Sequence, residues 1–122
     1  MNLLNNIDVD TTVSTDIATD IEDQNQNVLP DRFTLSQNYP NPFNPSTTIN
    51  YALPTKSHVV IKVYNVLGQE IRTLVDHDNS AGFYSVLWNG KDNFGKSVTS
   101  GIYLYRIETD DFDKSMKMIL LK

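Results

Sequence analysis

A chain of 122 residues without cysteine has room for one folded domain and excludes disulfides, thiolate metal sites and thiol nucleophiles. Its net charge of -5 is unevenly spread: Asp8, Asp10, Asp16, Asp20, Glu22, Asp23 and Asp31 fall in the first 31 residues, which hold no Lys or Arg, leaving all ten bases and eight of the fifteen acids to the remainder. An acidic arm on a near-neutral body is a poor match for polyphosphate, so no nucleic-acid partner is expected.

Residues 1–31 are dominated by Asp, Asn, Thr and Gln, with Ile7, Val9, Val13, Ile17 and Ile21 too sparse to close a core. They read as a disordered acidic linker. Val13, Ile17 and Ile21 have helical spacing, a reading weakened by the surrounding Thr and Asp. Met1-Asn2-Leu3-Leu4-Asn5-Asn6-Ile7-Asp8 lacks the basic start and apolar run of a secretory signal peptide. No apolar stretch approaches the ~20 residues that span a bilayer.

Residues 32–122 read as the folded domain, because apolar residues there recur with period two, as in strands with one buried face. Phe33 and Leu35 open a short strand. Ile49, Tyr51 and Leu53 mark a second, stopped by Pro54-Thr55-Lys56-Ser57, and Val59, Ile61 and Val63 a third, ending at Asn65-Val66-Leu67-Gly68-Gln69. Residues 71–75 make a fourth, and Asp76-His77-Asp78-Asn79-Ser80-Ala81-Gly82 reads as a polar loop. Tyr84, Val86 and Trp88 alternate with Phe83, Ser85 and Leu87 in a fifth, followed by the turn-rich Asn89-Gly90-Lys91-Asp92-Asn93-Phe94-Gly95-Lys96. Residues 102–108, with Tyr103, Tyr105 and Ile107 on one face, make the sixth, and residues 114–121 the last.

Seven short strands, one Trp and no convincing helix predict an all-β, immunoglobulin-like antiparallel β-sandwich. Ile49, Tyr51, Val59, Ile61, Val63, Val86, Trp88, Tyr103, Tyr105 and Met118 are its expected core. Trp88 shares the parity of Val86, which favours burial over a sugar-stacking role. Tyr103, two residues after Gly101, suggests a tyrosine corner whose hydroxyl returns to nearby backbone.

Pro40, Pro42 and Pro45 remove three backbone donors and restrict their predecessors, which predicts a stiff extended connector anchored by Phe43, with Asn38, Asn41 and Asn44 bonding their own main chain. Pro42-Phe43-Asn44-Pro45 also fits a PxxP ligand, a short and common match. Asp76, Asp78 and Asn79, and separately Asp110, Asp111 and Asp113, read as solvated turn groups, with a structural calcium site as the rarer alternative and no cofactor otherwise expected. His58 at a strand start and His77 in the polar loop have no motif nucleophile beside them. GxSxG, HExxH, GxGxxG and P-loop patterns are absent, so no enzyme is expected.

Ordered blocks run through the domain: Leu35 with Gln37-Asn38-Tyr39-Pro40-Asn41-Pro42-Phe43-Asn44-Pro45; Thr48-Ile49, Tyr51 and Leu53-Pro54; Val63-Tyr64-Asn65 with Leu67-Gly68-Gln69-Glu70. After these come Ala81-Gly82, Val86, Trp88-Asn89-Gly90, Asp92, Gly95, Val98, Ser100-Gly101-Ile102-Tyr103 and Lys117-Met118-Ile119-Leu120-Leu121-Lys122. In this order they resemble the type A C-terminal sorting domain of the type IX secretion system of the Bacteroidota. The middle blocks also resemble the immunoglobulin-like domain of flagellar hook-cap proteins. The sorting-domain resemblance implies a non-catalytic label that directs a cargo protein fused upstream across the outer membrane. It implies passage through the periplasm to the cell surface or medium, a translocon and a surface protease as partners, and cleavage before Phe33. An export signal and cargo domain would then lie upstream, and a monomer is the expected state. Recognition is expected at Lys117, Met118, Ile119, Leu120, Leu121 and Lys122, with Asn38, Pro40, Pro42 and Pro45 second, through an edge of the last strand or its Lys-flanked end. A surface adhesion or carbohydrate-binding module is the alternative.

Overall fold

The computed structural model describes residues 28–122. The acidic linker and the helically spaced Val13, Ile17 and Ile21 lie outside the described residues, apart from the linker's last four positions. The described residues form seven strands: β1 (Thr34–Leu35), β2 (Thr47–Leu53), β3 (Ser57–Asn65), β4 (Glu70–Asn79), β5 (Gly82–Trp88), β6 (Gly101–Glu108) and β7 (Asp113–Leu120). They build two antiparallel sheets, one ordered β1-β2-β5 and the other β4-β3-β6-β7. No helix occurs among the described residues, and so none is long and apolar enough to cross a membrane.

The alternation read from the sequence carries directly into packing. Ile49 and Tyr51 of β2, Val59, Ile61 and Val63 of β3, Trp88 of β5, Tyr103, Tyr105 and Ile107 of β6, and Met118 and Leu120 of β7 point between the sheets and are buried. Val86 is only partly buried, packed against this cluster rather than inside it, because β5 is the outermost strand of its sheet. Trp88 is 0% exposed, its ring 5.7 Å from Phe43 and 5.4 Å from Tyr103, and its Nε1 donates to Lys91 O at 2.9 Å. Every face of that indole is occupied, so it offers no sugar platform. Tyr103 Oη donates to Thr99 O at 2.7 Å, the expected tyrosine corner.

Two segments differ from expectation. The first is the run read as a polar loop: Asp76, His77, Asp78 and Asn79 continue β4, and only Ser80 and Ala81 turn the chain into β5. Their polarity has a structural cause. His58 on β3 lies between Asp76 and Asp78, with Nε2 2.8 Å from Asp76 Oδ1 and Nδ1 2.7 Å from Asp78 Oδ1. Asn79 turns inward and donates to Tyr51 Oη at 2.8 Å. Strand pairing therefore survives a sequence with little β propensity because the cross-strand partners are complementary.

The second is the proline connector, which bends repeatedly instead of running extended. Its Tyr39-Pro40, Asn41-Pro42 and Asn44-Pro45 bonds are cis. Asn38 holds the first corner: its Nδ2 donates to Pro40 O at 3.1 Å and to Thr47 Oγ1 at 2.9 Å. At the far end Gly90 meets the connector closely. Its φ is +74°, and a Cβ there would lie 2.9 Å from Pro45 O, so both backbone conformation and space demand glycine.

Candidate functional site

In β7 the side chains divide by register. Met118 faces Tyr103 and Leu120 faces Gly101 in β6, and both enter the core, while Lys117 and Ile119 pair with Leu104 and Ile102 on the outer face of the sheet. Leu121 and Lys122 follow as exposed residues. Of the six closing residues, Met118 and Leu120 are thus sealed inside and present nothing to a partner. Lys117, Ile119, Leu121 and Lys122 remain, beside Ile102 and Leu104, as a mixed cationic and apolar surface. A shallow groove lined by Asn65, Val66, Ser100 and Ile102 adjoins it, and Lys122 N donates to Ser100 Oγ at 2.9 Å.

An open backbone edge on β7 is one of the two expected docking modes, and the connector covers that edge from Lys117 onward. Gln37 Nε2 donates to Lys117 O at 2.8 Å, and Ile119 N donates to Asn41 Oδ1 at 3.0 Å. Phe43 N donates to Ile119 O at 2.9 Å, and Leu121 N returns a bond to Phe43 O at 3.0 Å, forming a short parallel bridge beside Leu120. Asn41 therefore bonds the last strand rather than its own main chain. These contacts use Lys117 O, both backbone groups of Ile119 and Leu121 N, so an incoming strand cannot pair there.

Expected recognition residues of the connector separate in the same way. Asn38 is buried: its backbone N–H donates to Tyr105 Oη at 2.8 Å, and that hydroxyl donates to Ser36 O at 2.6 Å. Burial pushes the Tyr105 hydroxyl up to about 12, keeping it a neutral donor. Pro40, Pro42 and Pro45 are exposed, as is Tyr39 at 80%. Bonds between the two candidate segments bring them together from about 80 residues apart in sequence, and Tyr39, Pro40, Pro42, Pro45, Lys117, Leu121 and Lys122 are among their exposed residues. Sequence reasoning passed over Ile102 and Leu104. Their signal was available: they alternate with the inward Tyr103 and Tyr105, leaving an apolar outer face.

Asp76, Asp78 and Asp113 are committed to cationic or hydrogen-bonding partners. Asp76 and Asp78 hold His58, and Asn79 points into the core. Hydrogen bonds donated to Asp78 and then to Asp76 raise the His58 pKa, since both ring nitrogens donate only in the imidazolium. Asp113 pairs with Arg106, which holds its carboxyl below the usual range, and Glu108 lies 3.3 Å from the same guanidinium. Among the described residues no group of three or more His, Cys, Asp or Glu is placed to hold a metal ion. Exposed pairs of this kind, Lys62 with Glu70 at 3.1 Å included, contribute little to stability individually.

Two facing sheets, a buried Trp and a tyrosine corner define an immunoglobulin-like domain. The chain belongs to the FlgD Ig-like domain family, whose model matches residues 43–113. The matched stretch ends where β7 begins and excludes Gln37, Asn38, Pro40 and Asn41, so both halves of the candidate surface lie largely outside it. Among solved structures, dimeric latent PorU from Porphyromonas gingivalis aligns with a TM-score of 0.60 and 19% identity, over 77% of this chain and 10% of its own. That likeness is one of fold, and this chain spans about a tenth of PorU's length. FlgD from P. aeruginosa aligns at 0.48 with 26% identity, over 61% of this chain and 58% of its own. PorZ, described as an essential surface component of the type IX secretion system of P. gingivalis, aligns at 0.47 with 18% identity, over 75% of this chain and 12% of its own. No curated protein matches the chain.

Proposed function

We propose that residues 32–122 form a non-catalytic sorting domain that directs a fused cargo across the outer membrane by type IX secretion. One observation carries this reading. The Gln37 to Pro45 block and the Lys117 to Lys122 block, which the sorting-domain resemblance singles out, are bonded into one solvent-facing surface. The exposed side chains of the prolines, Tyr39, Lys117, Leu121 and Lys122 take no part in the core, whereas a receptor would read them together. Recognition at the closing residues then proceeds through side chains rather than added strand backbone, because the β7 edge from Lys117 onward is already occupied. The two lysines suit an acidic face on the translocon, and Ile102, Leu104 and Leu121 supply apolar contact.

The test is a secretion assay on a folded cargo fused to the domain. Lys117→Glu, Leu121→Ser and Lys122→Glu change only exposed groups, so the domain should keep its circular dichroism and melting temperature. The triple variant should leave its cargo folded in the periplasm. Undiminished secretion of that variant would remove the proposed recognition surface.

A further inference from the structure

We infer that the outer edge of β5 is a self-pairing edge through which two copies of this chain join into one continuous sheet. This inference is independent of the export reading, since no residue of β5 belongs to that recognition surface. Thr48 exchanges both backbone bonds with Tyr39, and Asn50 O accepts from Ser36 N, so the backbone groups of Thr48, Asn50 and Ala52 point toward β1. Those of Thr47, Ile49, Tyr51 and Leu53 then point toward β5, where their partners are Trp88, Val86, Tyr84 and Gly82. The N–H and C=O groups of Phe83, Ser85 and Leu87 therefore project from the opposite side of β5, and no described residue bonds to them.

Other long edges of the sandwich are protected. The connector covers β7 from Lys117 onward, the first half of β7 carries the charged Asp113 and Lys114, and the loop after β5 covers the start of β4, where Asn93 N donates to Ile71 O and Thr73 N donates to Asn93 Oδ1 at 2.9 Å. Further along, β4 carries the charged Asp76 and Asp78 and is bulged against β3. In contrast Gly82-Phe83-Tyr84-Ser85-Val86-Leu87-Trp88 has no charge, no proline and no bulge. Its outward Phe83 and Leu87 are 67% and 59% exposed. An unguarded apolar edge of this kind is a template for strand pairing.

The occupant it fits best is itself. Antiparallel pairing about a two-fold axis through Ser85 sets Phe83 of one copy against Leu87 of the other, twice, with the two serines between them. Every projecting backbone group gains a partner, and no like charges meet. The order becomes β1-β2-β5-β5-β2-β1. A strongly acidic or basic partner would find no complementary charge on the strand.

Sedimentation of the full chain from about 10 μM to about 1 mM, the range of weak interfaces, should show its mass rising from 13.9 kDa toward twice that value. Ser85→Lys places two ammonium groups across the axis and should hold the mass at 13.9 kDa. Ser115→Lys, on the far sheet, should still dimerise. An equimolar mixture of Ser85→Lys and Ser85→Glu should restore the doubled mass, which a folding defect could not do. Constant monomer mass in the unmodified chain overturns the inference. So does a Ser85→Lys protein that still dimerises, or a mixture that fails to pair. Monomer with slow exchange at the Phe83, Ser85 and Leu87 amides also overturns it, by assigning the edge to the chain's own N-terminal residues.

Discussion

A single hydroxyl, that of Tyr105, ties the last sheet to the start of the connector. It donates to Ser36 O and accepts from the buried Asn38 N–H, so Tyr105→Phe removes one group and strands two. The expected cost is about 1–3 kcal/mol, measured by urea unfolding. Because its folded pKa is raised, this bond pair stabilises the domain fully below the ordinary tyrosine range and is lost as pH rises through about 12. The Phe variant should lack that alkaline step. Gly90 carries a different constraint. Gly90→Ala forces an L side chain into positive φ and toward Pro45 O, and its melting temperature should fall well below that of Gly95→Ala, where nothing lies within 4 Å. His58 offers a third test. Its folded pKa is raised, so the clasp with Asp76 and Asp78 is complete below the ordinary histidine range and is released as pH rises through the raised value. A ring-proton titration should show this raised midpoint, and Asp78→Asn should lower it more than Asp76→Asn, matching the larger influence of Asp78.

The strands themselves were legible because alternation is a local signal: residues two apart share a face whichever strands they pair with. That rule located the seven strands and identified Trp88, Tyr103 and Tyr105 as inward. It missed the second half of β4, where Asp76, His77, Asp78 and Asn79 have loop composition and owe their strand conformation to His58 and Tyr51, 18 to 28 residues away. It also missed the connector's docking on β7. Prolines disclose a stiff segment, but its course is set by Gln37 and Asn41 reaching Lys117 and Ile119, and no local pattern encodes a pairing 78 to 80 residues distant. Two of the six closing residues, Met118 and Leu120, were misassigned for a related reason. A contiguous block names Met118 and Leu120 beside Lys117 and Leu121, whereas a strand sends them to opposite sides. Phe43 holds the connector in place, so Phe43→Ala should destabilise by about 3–5 kcal/mol through the cavity left against Trp88. Hydrogen exchange at the Leu121 amide, bonded to Phe43 O, should accelerate at the same time.

At the scale of the whole domain, the last strand serves the core and the candidate surface together, and this decides how its function can be probed. Met118 and Leu120 are each fully buried, and losing a buried Leu or Met side chain costs about 2–5 kcal/mol. Together they account for much of the roughly 5–15 kcal/mol that holds an ordinary domain folded. Removing residues 117–122 also unpairs Gly101, Ile102, Tyr103 and Leu104 of β6 and strips the connector of its partners on β7. Such a truncation should unfold the domain, and any secretion defect would then report misfolding. Removing only residues 121 and 122 deletes two exposed side chains and the bonds from Leu121 N to Phe43 O and from Lys122 N to Ser100 Oγ, leaving β7 and the core intact. The shorter protein should unfold cooperatively within a few degrees of the full chain while losing export if Leu121 and Lys122 are read by a receptor. Thermal melts beside secretion assays on the two truncations separate these roles. Equal melting temperatures for both would contradict the packing of Met118 and Leu120, and normal export of the shorter one would remove Leu121 and Lys122 from the recognition surface.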